Sequence, residues 1–308
     1  MRKPTANTAA SIRAKLLNVS RTAKQEFQFV LDRWAAERFL YRLGRSPLRE
    51  SFVLKGATLF LIWRGALPRR TRDIDLLAYG SSDPRRILES ARSICAVHAD
   101  DGILFDIDNI TVAEIRENSE YDGLRLRVPA SLDKAKTVLQ IDIGFGDVVS
   151  PGAENRELPA MLGLDAPNLR IYPPETVIAE KFQAMVQLDM PNSRMKDFFD
   201  IWLLSREQPF QIDRLAGALK ATFARRKTEL PWRRPVALTG RFLRDELKSA
   251  QWREFLVRVD LPLSVGELAD VGESIAKFLM PVVESIHAEE TLDLYWPAKG
   301  PWRRRARQ

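Results

Sequence analysis

Cysteine and histidine are nearly absent from this chain of 308 residues. Its one cysteine is Cys95, and its two histidines are His98 and His287. A lone cysteine cannot form a disulfide within the chain, and such sparse usage is typical of a reducing compartment, so we expect a cytoplasmic protein. These counts also leave little material for a zinc site, or for cysteine–histidine or serine–histidine–aspartate catalysis.

Long hydrophobic runs are also missing. No uninterrupted apolar segment approaches the roughly 20 residues that a membrane-spanning helix needs. The first eight residues, MRKPTANT, do not lead into the apolar core of a signal peptide. We therefore expect a globular protein that has no membrane partner.

Positive charge exceeds negative charge, with a net charge of +7. Such an excess favours a polyanionic partner. The basic clusters of the last third are residues 225–227 (RRK), 233–234 (RR) and 303–307 (RRRAR). Trp232 and Trp302 each lie beside one of them, and rings next to cations suit the unpaired bases and phosphates of RNA. The alternative is a solvated basic face with both tryptophans in the core.

The order of patterns indicates an α+β protein with two parts. The first fifty residues have helical spacing, and short strands are predicted at 51–54, 69–77, 105–110, 124–128 and 138–145. From Pro173 onward the periodicity is helical almost throughout, with predicted helices at 175–188, 195–205, 212–226, 241–257 and 265–286. Residues 146–174 are rich in proline and glycine and are predicted to be a linker. The strand that contains Asp73 and Asp75 is predicted to begin at Arg69 and to run to Leu77. We therefore predict a mixed-sheet domain at 1–150 and a helical domain at 151–308.

Asp73 and Asp75 are the most informative residues. They alternate with Ile74 and Leu76 in a predicted strand, so the two carboxylates project from one face and the apolar side chains from the other. Neighbouring carboxylates repel each other unless a cation neutralises them, and Mg²⁺ prefers carboxylate oxygens together with substrate phosphates. With arginines just upstream, the pair predicts a Mg²⁺ site; a solvated strand end is the alternative.

Three further segments fit the same chemistry. Gly56-Ala57, at a strand–helix junction, allows close approach of a phosphate to the backbone, although a tight turn has the same sequence signature. Asp142 lies between two isoleucines and is predicted to be either a third metal ligand or half of an ion pair. Lys181 is a candidate point charge for a triphosphate, and Asp197 follows on the next helix. The alternative for these last two is a surface ion pair.

A second D-x-D occurs at Asp106 and Asp108. It also alternates with apolar residues and is predicted to lie on a strand. It lacks the upstream glycine and the surrounding arginines, so we assign it a structural or solvated role.

Five blocks of this sequence resemble, in order and spacing, the AbiEii/AbiGii nucleotidyltransferase toxins, which include the MenT-like enzymes. The blocks are residues 54–59 (LKGATL), 70–76 (RTRDIDL), 141–144 (IDIG), 180–184 (EKFQA) and 194–201 (RMKDFFDI). Each block is loose by itself, and the combination is specific. No motif of the last hundred residues matches.

The resemblance implies a minimal nucleotidyltransferase fold, like that of DNA polymerase beta, followed by a helical part. It implies transfer of a nucleotide from an NTP, in some members onto the 3′ end of tRNA, and a cognate antitoxin as a protein partner. Position by position, Asp73 and Asp75 match the metal ligands, with Asp142 as a third, and Lys181 and Asp197 match the remaining catalytic residues.

One departure from the superfamily concerns nucleotide binding. The superfamily's Gly-Ser is Gly56-Ala57 here, so backbone amides or Thr71 would replace the serine hydroxyl. Arg72 and Lys181 would bind the phosphates of the nucleotide. Mg²⁺ is the expected cofactor, with Mn²⁺ as an alternative. Two other readings stay open: transfer to a protein or small molecule, and a catalytically weak protein that only binds nucleotide or RNA.

Overall fold

The computed structural model describes residues 6–71, 73–117, 121–259 and 264–304. The chain forms two compact units, a sheet unit and a helical unit. The sheet unit contains the described residues of Met1–Leu67, Thr71–Gly146 and Glu154–Ile171. The helical unit contains the described residues of Pro68–Arg70, Asp147–Ala153 and Tyr172–Gln308.

The sheet unit is built on a mixed β-sheet with helices that pack on it. In chain order its elements are α1 (Ala6–Thr22), α2 (Phe27–Arg45), β1 (Phe52–Lys55), α3 (Leu59–Arg64), β2 (Asp73–Ala78), α4 (Pro84–Cys95), β3 (Ile103–Phe105), β4 (Thr111–Glu117), β5 (Tyr121–Leu132), β6 (Ala135–Phe145), β7 (Glu154–Glu157) and β8 (Asn168–Ile171). The strand order is β3-β5-β6-β2-β1-β8-β7, with β4 paired to β5. Strand β2 is therefore central, antiparallel to β1 and parallel to β6.

The core of this unit follows from alternation along the strands. In β6, Leu139, Ile141 and Ile143 are buried, and the residues between them are more exposed. Helix α2 packs on β6 and contributes the fully buried Trp34 and Phe39 to the core. The other face of β2 and β6 thus stays open to polar side chains.

The helical unit contains six α-helices within its described residues. Its elements are α5 (Pro174–Leu188), α6 (Met195–Glu207), β9 (Phe210–Gln211), α7 (Ile212–Arg225), α8 (Gly240–Leu243), α9 (Glu246–Leu256), α10 (Leu268–His287), β10 (Leu294–Trp296) and β11 (Arg303–Arg304). Helix α10 packs on α6 and α7 with Ile275, Phe278 and Leu279 buried. The three short strands pair in the order β11-β10-β9.

The α+β class and the mixed sheet are confirmed, and three predicted elements differ. Of residues 105–110 only Phe105 lies in a strand, as the end of β3, because a 3₁₀ turn over Ile107–Asn109 follows, and the Asp106 carboxylate accepts a hydrogen bond from Asn109. The predicted helix 241–257 is divided, because Asp245 accepts from the backbone N–H of Lys248 and starts α9 as a new helix. The predicted linker contains β7 and β8, which pair with each other. None of the helices in the described part of the chain combines the length and apolarity needed to cross a membrane.

Candidate active site

Asp73 and Asp75 lie on β2 as the alternation predicts. Ile74 and Leu76 are each 1% exposed, whereas both aspartates are half-buried on the opposite face. The pair therefore projects from the open face of the central strand. Two acidic side chains in this position can be reached by a cation and by a substrate at the same time.

Gly56, immediately after β1, makes room for one of these carboxylates. Its φ of +75° is a conformation that side chains rarely adopt, and a Cβ added there would lie 2.0 Å from Oδ2 of Asp75. The carboxylate thus occupies the space that a side chain at position 56 would fill. Ala57 is 5% exposed, so its methyl group is part of the core.

Four charged residues form a row across the sheet. The strand registers place Lys55 opposite Asp75, Asp75 opposite Asp142, and Asp142 opposite Arg125. Both oxygens of Asp142 accept hydrogen bonds of 2.7 Å from Arg125. The row thus contains two anions between two cations, and Asp73 adds a further negative charge near it.

The side chain of Lys55 extends along this face toward β6. Its Nζ would lie 3.4 Å from a Cβ added to Gly144, which follows Asp142 by two residues. The absence of a side chain at Gly144 therefore leaves space for the lysine. Lys55 brings a cation to the acidic face from the strand that ends at Gly56.

The donor set of this face fits a hard divalent cation. Asp73 and Asp75 offer carboxylate oxygens, and the space at Gly56 lets one of them lie against the backbone. Within the ranges that the structure describes, no three His, Cys, Asp or Glu side chains form a group able to hold a metal by themselves. An ion bound by Asp73 and Asp75 would take its remaining ligands from water or from the substrate.

A cavity opens beside Asp73 within the sheet unit. Thr71 and Asp73 line it together with Thr58, which follows the Gly56-Ala57 pair. Arg33 and Glu37 of α2 also face this cavity. Burial lowers the pKa of Arg33, and the nearby charge of Glu37 only partly opposes this. Burial likewise raises the pKa of Glu37, and the nearby charge of Arg38 only partly opposes it. Polar groups thus converge where two predicted nucleotide-binding segments meet.

Lys181 and Asp197 form a direct ion pair in the helical unit. Lys181 on α5 donates from Nζ to Oδ1 of Asp197 at 2.7 Å and lies 2.9 Å from Oδ2 of Asp200, both on α6. Arg194 donates to the second oxygen of Asp197 at 2.6 Å, and Arg69 lies 3.3 Å from Asp200. This is a buried network, because Asp197 and Asp200 are 0% and 1% exposed, so the surface ion pair considered as the alternative is wrong.

The electrostatics of this network keep its charges fixed at neutral pH. Burial alone would raise the pKa of Asp197, but Lys181 and Arg194 outweigh it and lower that pKa to about 2. Burial would lower the pKa of Lys181, but Asp197 and Asp200 outweigh it and raise that pKa. Asp197 is consequently a poor proton acceptor near pH 7, and Lys181 is a permanent cation.

The basic clusters separate into buried and exposed members. Arg226 lies 3.0 Å from Asp147 and 3.4 Å from Glu180, so its charge is already compensated. Trp302 stacks on Phe278 and donates to its carbonyl at 2.8 Å, as the core alternative predicts. Trp232 remains 78% exposed. Residues 305–307 of the terminal cluster, and Arg72 among the predicted nucleotide-binding residues, lie outside the described residues.

Comparison with known families decides the identity of the chain. The model of the AbiEii toxin family, the nucleotidyl transferases of type IV toxin–antitoxin systems, matches residues 38–272. The chain belongs to this family. It is therefore a nucleotidyltransferase, and membership implies a nucleotide substrate and an antitoxin partner. No curated protein matches the chain.

Two solved structures resemble this AbiEii family member. One is a predicted nucleotidyltransferase from H. pylori, at 18% identity and a TM-score of 0.43, with 83% of this chain and 94% of that chain covered. The other is JHP933 from Helicobacter pylori, at 18% identity and a TM-score of 0.39, with 82% and 93% covered.

The sequence patterns do not predict a role for four charged residues around these groups. They are Lys55, Arg69, Arg125 and Arg194. The partners of Lys55, Arg69 and Arg125 are distant in sequence or set by strand register. Arg194 lies only three residues before its partner Asp197, so that pairing has a local signal. Arg125 had a visible signal, because the alternating LRLRV at 124–128 places arginines on the polar face of a strand.

Proposed function

We propose that this AbiEii family member transfers a nucleotide from an NTP to the 3′ end of a tRNA in a metal-dependent reaction in the cytoplasm. The observation that supports this most is the placement of Asp73 and Asp75 on the open face of β2, with the space at Gly56 filled by the Asp75 carboxylate. Such a face can bind divalent ions together with the triphosphate.

In the proposed reaction the acceptor hydroxyl oxygen forms a bond to the α-phosphorus, and the bond from that phosphorus to the bridging oxygen of pyrophosphate breaks. The hydroxyl proton goes to solvent. Mg²⁺, or Mn²⁺, would lower the pKa of the hydroxyl and neutralise the leaving pyrophosphate. Asp73 and Asp75 would hold the ions. Asp142 is a further candidate ligand, although both of its oxygens already accept hydrogen bonds from Arg125.

The chain's own residues would mainly position the substrate, as phosphoryl transfer requires. Thr71 lines the cavity beside Asp73. Thr71 and the backbone at Gly56-Ala57 would both contact the nucleotide. Lys181 stays cationic and keeps 15% of its side chain exposed, so it can supply a charge to phosphate. The low pKa of Asp197 favours a role in orienting Lys181 over a role as a base.

RNA is the favoured acceptor because of the exposed cations of the helical unit. Arg225, Lys227, Arg233 and Arg234 are all exposed. Contacts from such residues to phosphates release counterions, so acceptor binding should weaken steeply with salt.

The test is transfer of radiolabel from each α-labelled NTP to total tRNA in the presence of Mg²⁺. The parent and an Asp75→Asn variant are compared with an Asp106→Asn variant, which alters the other D-x-D. We expect label on tRNA with the parent and Asp106→Asn, and none with Asp75→Asn or in EDTA. Label on protein, or none on any acceptor, would contradict the proposal.

A further inference from the structure

Trp232 is an exposed aromatic side chain of the helical unit. It is 78% exposed, and none of the chain's other six tryptophans, all of them among the described residues, is exposed. A large apolar ring left in water lacks the stabilisation that its burial would give. A single exposed ring is common on protein surfaces, so the surroundings of Trp232 decide whether it has a role.

One face of the indole is already fixed by a second ring. The imidazole of His287, at the end of α10, stacks on Trp232 with ring centroids 3.7 Å apart and planes 18° from parallel. The Nε2 atom of His287 lies 3.3 Å from the carbonyl oxygen of Pro231, which ties the imidazole to the backbone beside the tryptophan. The indole is therefore held at a defined position while its other face is open.

The backbone around the indole is also restrained. Pro231 and Pro235 bracket the segment, and each fixes its own φ. A ring that is positioned before binding loses little conformational entropy when a ligand stacks on it. These features favour a flat ligand that is recognised by stacking.

The charge around Trp232 identifies the ligand class. Arg233 and Arg234 follow it directly and are exposed, and Arg225 and Lys227 lie exposed a few residues before it. Glu229 is the acidic residue of this stretch, and Arg234 also pairs with Glu273 at 2.8 Å. The excess of cations suits phosphates on both sides of a stacked ring.

We propose that Trp232, supported by His287, is a stacking platform for an unpaired base of a single-stranded nucleic acid, with Arg233 and Arg234 on the adjacent phosphates. This rests on the proposed function, in which the strand is the unpaired end of the acceptor RNA. A duplex would not be held in this way, because its bases are already stacked on each other.

The test measures RNA binding without nucleotide or metal, so it does not depend on transfer activity. Fluorescence anisotropy follows a labelled single strand of about a dozen nucleotides, or the matching blunt duplex, in EDTA. For Trp232→Ala we expect roughly 5- to 100-fold weaker binding of the single strand, and little change for the duplex. Trp232→Phe should recover most of the affinity, because it restores an aromatic face.

Leu247→Ala is the matched control, since Leu247 is 64% exposed and belongs to the same unit. It should bind like the parent. Single-strand binding by Trp232→Ala within twofold of the parent would overturn the platform. An equal loss of duplex affinity, or no recovery in Trp232→Phe, would overturn it as well.

Discussion

The carboxylate of Asp75 lies in the space where residue 56 would otherwise carry its side chain. A Cβ on Gly56 would approach Oδ2 of Asp75 to 2.0 Å, and the φ of +75° at Gly56 also favours glycine. The glycine is therefore needed both for the turn after β1 and for the position of an acidic side chain. The departure from Gly-Ser to Gly-Ala leaves this first glycine intact.

We predict that Gly56→Ala lowers nucleotidyl transfer roughly 100-fold, since a displacement of about 1 Å at a reacting centre can have that effect. Gly65→Ala is a matched control. Gly65 has φ +74°, but nothing lies within 4 Å of its added Cβ. Both variants carry similar backbone strain, so comparing their transfer rates isolates the clash with Asp75. Equal rates for the two variants would show that the contact is irrelevant.

A second prediction concerns the metal ligands. Because both oxygens of Asp142 accept from Arg125 at 2.7 Å, we expect Asp142→Asn to change Mn²⁺ affinity less than about threefold. Asp75→Asn should weaken it at least about tenfold, because a charged ligand is lost. Titration of Mn²⁺ followed by electron paramagnetic resonance distinguishes the two. A tenfold loss in Asp142→Asn would instead make Asp142 a third ligand.

The sequence predicts those features of the site that depend on neighbouring residues in the chain. Alternation of Asp73 and Asp75 with Ile74 and Leu76 predicts both the strand and its two faces, because the side-chain period of a strand is two. The pairing of Asp75 with Asp142 depends on the parallel register of β2 and β6. Register comes from tertiary packing over a long separation, so no local pattern reveals it.

The helical unit shows a second limit. Spacing on α6 predicts that Asp197 and Asp200 lie away from the face of Phe198 and Trp202. Sequence alone suggests that such a face is exposed, yet both aspartates are buried. Their burial is tolerated because Lys181 of α5 and Arg69, which lies outside α6, neutralise them. Partners brought together only by packing cannot be predicted from helical periodicity.

Removing Lys181 should destabilise the protein. Lys181→Met leaves two buried carboxylates that keep Arg194 and Arg69 as ion-pair partners, with Lys196 acting on Asp197 as well. Breaking a buried pair typically costs 3–5 kcal/mol, and because these arginines remain we expect a loss of about 3 kcal/mol in the free energy of unfolding. Urea denaturation of Lys181→Met beside Lys277→Met, which alters an exposed lysine, measures it. A loss below about 0.5 kcal/mol would contradict the inferred strength of the network.

The same network should give stability a defined pH dependence. The pKa of Asp197 falls from 3.8 to about 2 on folding, because Lys181 and Arg194 outweigh its burial. A lowered pKa stabilises the folded state above pH 4, and this contribution is lost as the pH falls through the window from about 4 to 2. The shift corresponds to about 2 kcal/mol. Other carboxylates titrate in this range, so the informative quantity is the difference in unfolding free energy between the parent and Asp197→Asn. We expect that difference to shrink by about 2 kcal/mol between pH 5 and pH 2, whereas a constant difference would mean that Asp197 titrates alike in both states.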